Sequence, residues 1–120
     1  MKRRDLGVFG ENIACTYLSR HHYSIIARNV YSRFGEIDIV AEDNGVLVFV
    51  EVKTRYCTPE DGLLSVLSVR KRRALHRASL DYIANKSEVS TYRYWRYDLV
   101  VIILSKVHPK IMHKMYALVP

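Results

Sequence analysis

The sequence has few cysteines and no long apolar run. Its two cysteines, Cys15 and Cys57, lie in no Cys-x-x-Cys or mixed cysteine–histidine spacing. A disulfide framework and a zinc motif are therefore excluded, and we expect free thiols in a cytoplasmic protein. The longest apolar runs, Val46–Val50 and Leu99–Leu104, are far shorter than the roughly 20 residues that cross a bilayer. We expect no membrane span and, because no apolar stretch follows the basic N-terminus, no secretory signal.

Proline and glycine are also scarce, at three and five residues, and the chain contains no repeat or low-complexity tract. A disordered or fibrous chain is excluded because 49% of the residues are hydrophobic and only 26% are charged. A length of 120 residues suits one packed core. We therefore expect a single domain over residues 1–120.

Acidic residues are rare in the second half of the chain. Residues 62–120 carry eleven bases and three acids, a net charge of +8, whereas residues 1–61 carry eight bases and nine acids, a net charge of −1. An excess of basic charge favours a polyanionic partner, and nucleic acid is the first candidate. A soluble basic surface without such a partner is the alternative that charge alone leaves open.

Apolar periodicity predicts alternating helices and strands. Residues 6–20 and residues 69 to about 85 carry apolar residues at helical spacing. The predicted strands cover residues 23–31, 35–41, 46–54, 97–104 and 111–119, with the last at a sheet edge. Asp43-Asn44-Gly45 is a turn signal that pairs the second and third strands as a hairpin. The sequence thus predicts an α/β fold, a mixed sheet flanked by helices in the order α-β-β-β-α-β-β.

Charged residues concentrate on this predicted hairpin. Asp38 lies on its first strand, and Glu51 and Lys53 project from one face of its second strand because they are two residues apart. The turn brings Asp38 opposite Val50 or Glu51, and a slip of one residue would separate the two carboxylates. In the favourable register, Asp38, Glu51 and the backbone carbonyl of Val52 offer the oxygen ligands that Mg²⁺ or Mn²⁺ prefers. Solvated charges at a strand end are the alternative.

A site of this kind is suited to the hydrolysis of a phosphodiester. A bound cation would lower the pKa of a water molecule and neutralise charge that develops on the phosphoryl group. Lys53 would orient or deprotonate that water, or stabilise the phosphoryl charge. The mechanism needs no nucleophilic side chain. The five histidines form no ligand pair or zinc motif, and we predict no role for them.

Two further charged residues are predicted to face the same region. Glu11 shares a helical row with Gly7, Ala14 and Leu18, and small neighbours allow a helix to approach the sheet closely. Glu11 is thus placed to support the metal directly or through water. Lys71 lies on the apolar row of the second helix, where its ammonium would hold a phosphate. A surface glutamate and a snorkelling lysine are the alternatives.

Basic residues crowd the first turns of the second predicted helix. Cations gain nothing from the helix dipole at this end, so their presence indicates phosphate binding. A solvated helix face is the alternative. The predicted nucleic-acid-binding residues are Arg70, Lys71, Arg72, Arg73 and Arg77.

The chain resembles the PD-(D/E)xK nuclease superfamily and, within it, the YraN-like family. The motifs are GEID at residues 35–38 and FVEVKTR at residues 49–55, with weaker matches over most of the chain. The resemblance implies a restriction-endonuclease-like core in which Asp38 and Glu51 bind the metal and Lys53 is the catalytic lysine. It also implies kinship with archaeal Holliday junction resolvases, which act as metal-dependent homodimers on branched DNA.

The sequence therefore predicts a Mg²⁺- or Mn²⁺-dependent endonuclease that acts on DNA. Asp38, Glu51 and Lys53 form its predicted catalytic set, Glu11 assists, and the Val52 carbonyl completes the metal ligands. A homodimer is expected if both strands are cut, because one small site cuts one strand. A catalytically inactive nucleic-acid-binding module with the same fold, and a protein-interaction domain with a basic surface, are the alternatives.

Overall fold

Helices and strands alternate along the chain in the order that the sequence predicts. A computed structural model describes residues 2–116. The main elements are α1 (Arg3–Arg20), β1 (Ser24–Ser32), β2 (Gly35–Asp43), β3 (Val46–Arg55), α2 (Val69–Asn85), β4 (Trp95–Ile103) and β5 (Lys110–Tyr116). The α/β class and the element order are confirmed. Helix α1 begins three residues earlier than predicted, and residues 117–119 of the last predicted strand lie outside the described residues.

The five strands of the described chain form one mixed sheet with the spatial order β1-β2-β3-β4-β5. Strands β1, β2 and β3 pair antiparallel, β4 lies parallel to β3, and β5 returns antiparallel to β4. The parallel step is the one that α2 connects, as a crossover requires. Strand β3 lies at the centre of the sheet and β5 at an edge, as predicted.

Helices α1 and α2 cover opposite faces of this sheet. Strand β3 contributes to the apolar clusters on both faces. Phe49 packs in the cluster around α2, whereas Val48 and Val50 pack in the cluster around α1. A strand buried on both faces has no polar alternation, which explains its continuous apolar sequence. Among the described residues, no helix is both long enough and apolar enough to cross a membrane.

Helix α1 approaches β3 most closely at Gly10. A Cβ atom at this position would overlap the Thr54 hydroxyl, so a larger residue fits only if the helix or the Thr54 side chain shifts. Gly7, which the sequence suggested as a point of close approach, has no heavy atom within 4 Å of a Cβ built on it. The correction matters for the site, because Gly10 brings its neighbour Glu11 beside the end of β3.

A network of buried hydrogen bonds surrounds the carboxylate of Asp98 on β4. The Tyr23 hydroxyl donates to Asp98 Oδ2 at 2.8 Å, Arg96 Nε donates to Oδ1 at 3.0 Å, and His113 Nε2 lies 2.7 Å from Oδ2. Although burial by itself raises the pKa of Asp98, hydrogen bonds from these three partners lower it below its ordinary value. His113, for which the sequence suggested no role, thus joins β5 to β4.

Candidate functional site

The register of the β2–β3 hairpin brings Asp38 and Glu51 to the same place. Their neighbours Ile39 and Val50 form the last backbone pair at this end of the hairpin. Beyond it, the Asp38 carboxylate accepts the backbone N–H of Val52 at 2.8 Å, in place of the main-chain acceptor that a continued ladder would supply. Of the two registers that the sequence left open, the structure has the one in which the carboxylates converge.

Both carboxylates are buried. Asp38 is 8% exposed and Glu51 is 1% exposed. Burial, followed by the charge of Glu51, raises the pKa of Asp38 from 3.8 to about 8, although the hydrogen bond from Val52 opposes the rise. Ionisation of both carboxyl groups at this depth places like charges in a low dielectric, so a divalent cation beside them would offset their repulsion.

The Glu51 carboxylate has a charged partner on only one of its oxygens. Lys53 Nζ lies 3.3 Å from Oε1, and Lys71 Nζ, from the first turn of α2, lies 3.4 Å from the same atom. Oε2 is buried and has no hydrogen-bond partner among the described residues. A buried acceptor without a partner is costly, and a metal ion or a metal-bound water would satisfy it.

Three carboxylates meet on the other side of Asp38. Glu11 on α1, Glu36 on β2 and Asp38 each offer an oxygen within 4.8 Å of the others. Burial, followed by the charge of Glu36, raises the pKa of Glu11 above its ordinary value. With its amide nitrogen turned toward them, Asn29 donates to Glu11 Oε1 at 2.7 Å and to Glu36 Oε1 at 2.9 Å.

The sequence prediction missed Glu36 and Asn29. Glu36 lies two residues before Asp38 on one strand, so the period of a strand was a signal that both side chains share a face. Asn29 has a left-handed backbone with φ of 51°, which asparagine adopts more readily than most residues. Its role depends on the pairing of β1 with β2, for which the sequence has no local signal.

These side chains line a cleft of about 330 Å³, which we call the carboxylate cleft. Its walls carry the carboxylates of Glu11, Glu36, Asp38 and Glu51 and the cations of Arg3, Lys53, Arg55 and Lys71. Four carboxylates and the Val52 main chain form an all-oxygen donor set, which is the type that Mg²⁺ and Mn²⁺ prefer. The residues present therefore fit the cation that the sequence predicts.

The basic residues predicted to bind nucleic acid separate into three groups. Lys71 enters the carboxylate cleft, and its position is fixed by Ser68, whose hydroxyl caps α2 by accepting the Lys71 N–H at 3.0 Å. Arg70, Arg73 and Arg77 are exposed on a different face. Arg72 points away from both groups and donates to the Leu64 carbonyl at 3.2 Å.

The helical period explains this separation. One turn of an α-helix contains 3.6 residues, so each residue points about 100° away from the one before it. Four consecutive bases therefore cannot share one face. Arg72 is half-buried, and its hydrogen bond joins α2 to the loop before it. The structure therefore does not place Arg72 with the other predicted phosphate-binding residues.

Comparison with known proteins shows the family of the chain. The sequence profile of Uncharacterised protein family UPF0102 matches residues 10–102, which include Glu11, Glu36, Asp38, Glu51 and Lys53. A UPF0102 protein of Geobacter metallireducens is 41% identical over 117 residues, which cover 94% of this chain and 91% of the relative. A UPF0102 protein of Clostridium botulinum strain Loch Maree is 35% identical over 105 residues, which cover 88% and 85%. The chain therefore belongs to family UPF0102, the YraN-like family that its motifs resemble.

Proposed function

We propose that this protein is a divalent-cation-dependent endonuclease of the PD-(D/E)xK type that hydrolyses phosphodiester bonds in DNA. The observation that carries the proposal is the carboxylate cleft, in which Asp38 and Glu51 are buried together and Lys53 Nζ lies 3.3 Å from Glu51. A fold gains no stability from several buried like charges, so their assembly in an accessible cleft supports a functional origin.

The residues of the carboxylate cleft supply the ligands that we propose for the cation. Asp38, Glu51 and the Val52 carbonyl would hold Mg²⁺ or Mn²⁺, and Glu11 with Glu36 would hold its water molecules or a second ligand position. When bound, the cation supplies Lewis-acid stabilisation of the phosphoryl charge and a water of lowered pKa. The orphaned Oε2 atom of Glu51 supports this assignment because it is an acceptor for which the described residues offer no donor.

Lys53 acts on the reacting groups. Its ammonium is held by Glu51 and donates to the attacking water or to a non-bridging phosphoryl oxygen. The water oxygen bonds to phosphorus, the bond from phosphorus to the leaving oxygen breaks, the water loses a proton to solvent, and the leaving oxygen gains one. Lys53 lowers the barrier by stabilising the negative charge that collects on the phosphoryl oxygens during this exchange.

Lys71 reaches the same place from another element. Its Nζ lies 3.4 Å from Glu51, and its side chain is partly exposed at 34%, so a substrate phosphate can contact it. In the free protein, Glu51 pairs with both lysines. An incoming phosphate would replace Glu51 as the partner of their ammonium groups. The two ammonium groups and the cation together offset the charge of the scissile phosphodiester and its neighbours.

A second candidate function is nucleic-acid binding without turnover. The exposed row of Arg70, Arg73 and Arg77 favours it, because this row lies outside the carboxylate cleft and would bind phosphates whether or not the cleft is active. A homodimer also stays a prediction, since a single carboxylate cleft serves one strand at a time.

The experiment is a cleavage assay with labelled linear, branched and single-stranded DNA in Mg²⁺, in Mn²⁺ and in chelator. We expect cleavage by the wild type in either metal and none in chelator. Asp38→Asn, Glu51→Gln and Lys53→Met each remove one group with little change of shape, and each should lower the rate on the order of 100-fold or more.

The matched control is Glu60→Gln in the exposed loop before α2, which removes a carboxylate outside the cleft and should cleave like the wild type. Equal cleavage by wild type and all variants would indicate a contaminating nuclease. Absence of cleavage by a folded wild-type protein on every substrate would overturn the nuclease proposal in favour of the binding module.

A further inference from the structure

A second cleft, here called the arginine cleft, is lined by residues of α2 and of the turn between β1 and β2. It has a volume of about 510 Å³. Its walls include Arg33, Phe34, Arg70, Arg73, Ala74 and Arg77. The lining residues that the structure describes include four arginines and no carboxylate, and none of these arginines forms an ion pair with a described acidic residue.

Two elements supply the guanidinium groups. Arg70, Arg73 and Arg77 follow one another at spacings of three and four on the exposed face of α2, a row about 10 Å long at 1.5 Å per residue. Arg33 comes from the turn between β1 and β2, and its guanidinium carbon lies 4.8 Å from the centre of the Phe34 ring. A cation over an aromatic face is attracted to it, so Arg33 has a preferred position.

The turn that carries Arg33 is itself ordered by local contacts. Ser32 Oγ donates to the Gly35 carbonyl at 2.9 Å and accepts the Phe34 N–H at 3.1 Å. Gly35 has φ of +136°, a conformation that favours glycine, and a Cβ built on it would lie 3.8 Å from Ala74. The turn therefore packs against α2, which brings the two walls of the arginine cleft together.

On both walls, the residues that line the two clefts are close along the chain. On one wall, Arg33 lines the arginine cleft and Glu36, three residues later, lines the carboxylate cleft. On the other wall, Arg70 lines the first cleft and the adjacent Lys71 the second. A polyanion with one phosphate at Lys71 would therefore have its next phosphates close to the residues that line the arginine cleft.

We propose that the arginine cleft binds the sugar-phosphate backbone of double-stranded nucleic acid beside the phosphodiester in the carboxylate cleft. The inference rests on the proposed function and adds its substrate class. Guanidinium groups form bidentate hydrogen bonds with phosphate oxygens, and four of them without carboxylate partners form a site for several phosphates. The row on α2 is about 10 Å long, so its guanidinium groups can contact successive phosphates of one strand.

The walls of the cleft favour a duplex over a single strand. Proteins that hold single strands present aromatic faces on which unstacked bases lie. Phe34 is the aromatic residue among the described lining residues, and the Arg33 guanidinium already covers its ring. The cleft thus offers charge for a backbone and no free platform for a base, which is the pattern of sequence-independent contact with a duplex.

The test measures binding without cleavage, by fluorescence anisotropy in chelator with a labelled duplex and with one of its strands alone. We expect the wild type to bind the duplex more tightly than the strand. Arg33→Gln/Arg73→Gln removes one guanidinium from each wall and should weaken duplex binding at least about tenfold at low salt. The slope of log K against log salt should fall by about 1.8, because each lost phosphate contact contributes about 0.9.

Lys106→Gln/Lys114→Gln is the matched control, because it removes the same charge from two exposed positions. Lys106 lies between β4 and β5, and Lys114 lies on β5. Its salt slope should equal that of the wild type, and circular dichroism should show both double variants folded. Equal losses in the two double variants, or tighter binding of the single strand by the wild type, would overturn the inference.

The outcome also separates this inference from the proposed function. Arginine-dependent duplex binding without cleavage in any metal would uphold the arginine cleft and remove the nuclease assignment. Metal-dependent cleavage together with unchanged duplex affinity in Arg33→Gln/Arg73→Gln would uphold the nuclease and remove the arginine cleft.

Discussion

Asp38 is the residue whose chemistry depends most on the fold. Burial and the charge of Glu51 raise its pKa to about 8, so in the cation-free protein the carboxyl group is largely protonated at neutral pH. In the unfolded chain it titrates at its ordinary value of 3.8. Between these two values the folded state binds more protons than the unfolded state, so this residue makes the protein less stable as the pH rises through that window.

Asp38→Asn should therefore stabilise the cation-free protein in a pH-dependent way. The amide cannot ionise, and its oxygen can still accept the Val52 N–H. We expect the variant to exceed the wild type in free energy of unfolding by on the order of 2 to 4 kcal/mol at about pH 8, and by little at about pH 4. Urea denaturation in chelator at the two pH values measures the difference.

The control is Asp61→Asn, which neutralises an exposed aspartate outside the cleft and should change stability little at either pH. The same gain for Asp38→Asn at both pH values would show that the ionisation of Asp38 does not strain the fold. Addition of Mg²⁺ should raise the stability of the wild type and leave that of Asp38→Asn nearly unchanged, since a ligand stabilises only the state that binds it.

At the scale of the elements, the site depends on how closely α1 approaches β3. Gly10 lies against Thr54, and the next residue, Glu11, reaches the acidic cluster around Asp38. A larger residue at position 10 would move the helix outward and withdraw Glu11 from the cleft. The glycine is thus a link between the packing of α1 and the composition of the site.

Gly10→Ala should destabilise the protein by about 1 to 3 kcal/mol, which is typical of an overpacked contact. Gly7→Ala on the same helix meets open space and should stabilise it by up to about 1 kcal/mol, because alanine is the better helix former. Thr54→Ala combined with Gly10→Ala removes the overlapping hydroxyl and should restore part of the loss. Urea denaturation of the three variants measures these changes in the free energy of unfolding. Equal effects of the two glycine substitutions would show that Gly10 is not needed for close packing.

The elements were predictable because each carries its own local signal. The Asp43-Asn44-Gly45 turn identified the hairpin, and Asn44 and Gly45 have the positive φ values of 49° and 82° that such a turn requires. The apolar sequence of β3 indicated a central strand because it packs on both faces. The ends of α1 and β4 differ from the prediction by a few residues, since periodicity locates the middle of an element better than its boundary.

The site was predictable only in part. Asp38, Glu51 and Lys53 were found because two adjacent strands and a turn fix their separation. Glu36 had a local signal, the strand period that it shares with Asp38, whereas its partner Asn29 required the β1–β2 pairing, which no short-range pattern specifies. Arg72 was grouped with its neighbours because a run of bases in the sequence does not show which of them the helix turns inward.

At the scale of the whole molecule, charge is divided between two clefts. The acidic residues of the first half of the chain supply the carboxylate cleft, and the basic first turns of α2 supply much of the arginine cleft. A net charge of +7 would attract a polyanion, and the division of charge would determine where on the protein the polyanion binds. The phosphates would lie along α2, and one of them would meet the cation, Lys53 and Lys71.

The central claim is that Asp38 and Glu51 hold the divalent cation. The most direct measurement is a calorimetric titration of Mn²⁺ into the wild type, into Asp38→Asn/Glu51→Gln, and into the control Asp61→Asn/Glu60→Gln. We expect binding at submillimolar to millimolar concentrations in the wild type and the control, and loss of binding in the cleft variant. Equal heats in all three proteins, or no binding in the wild type, would contradict it.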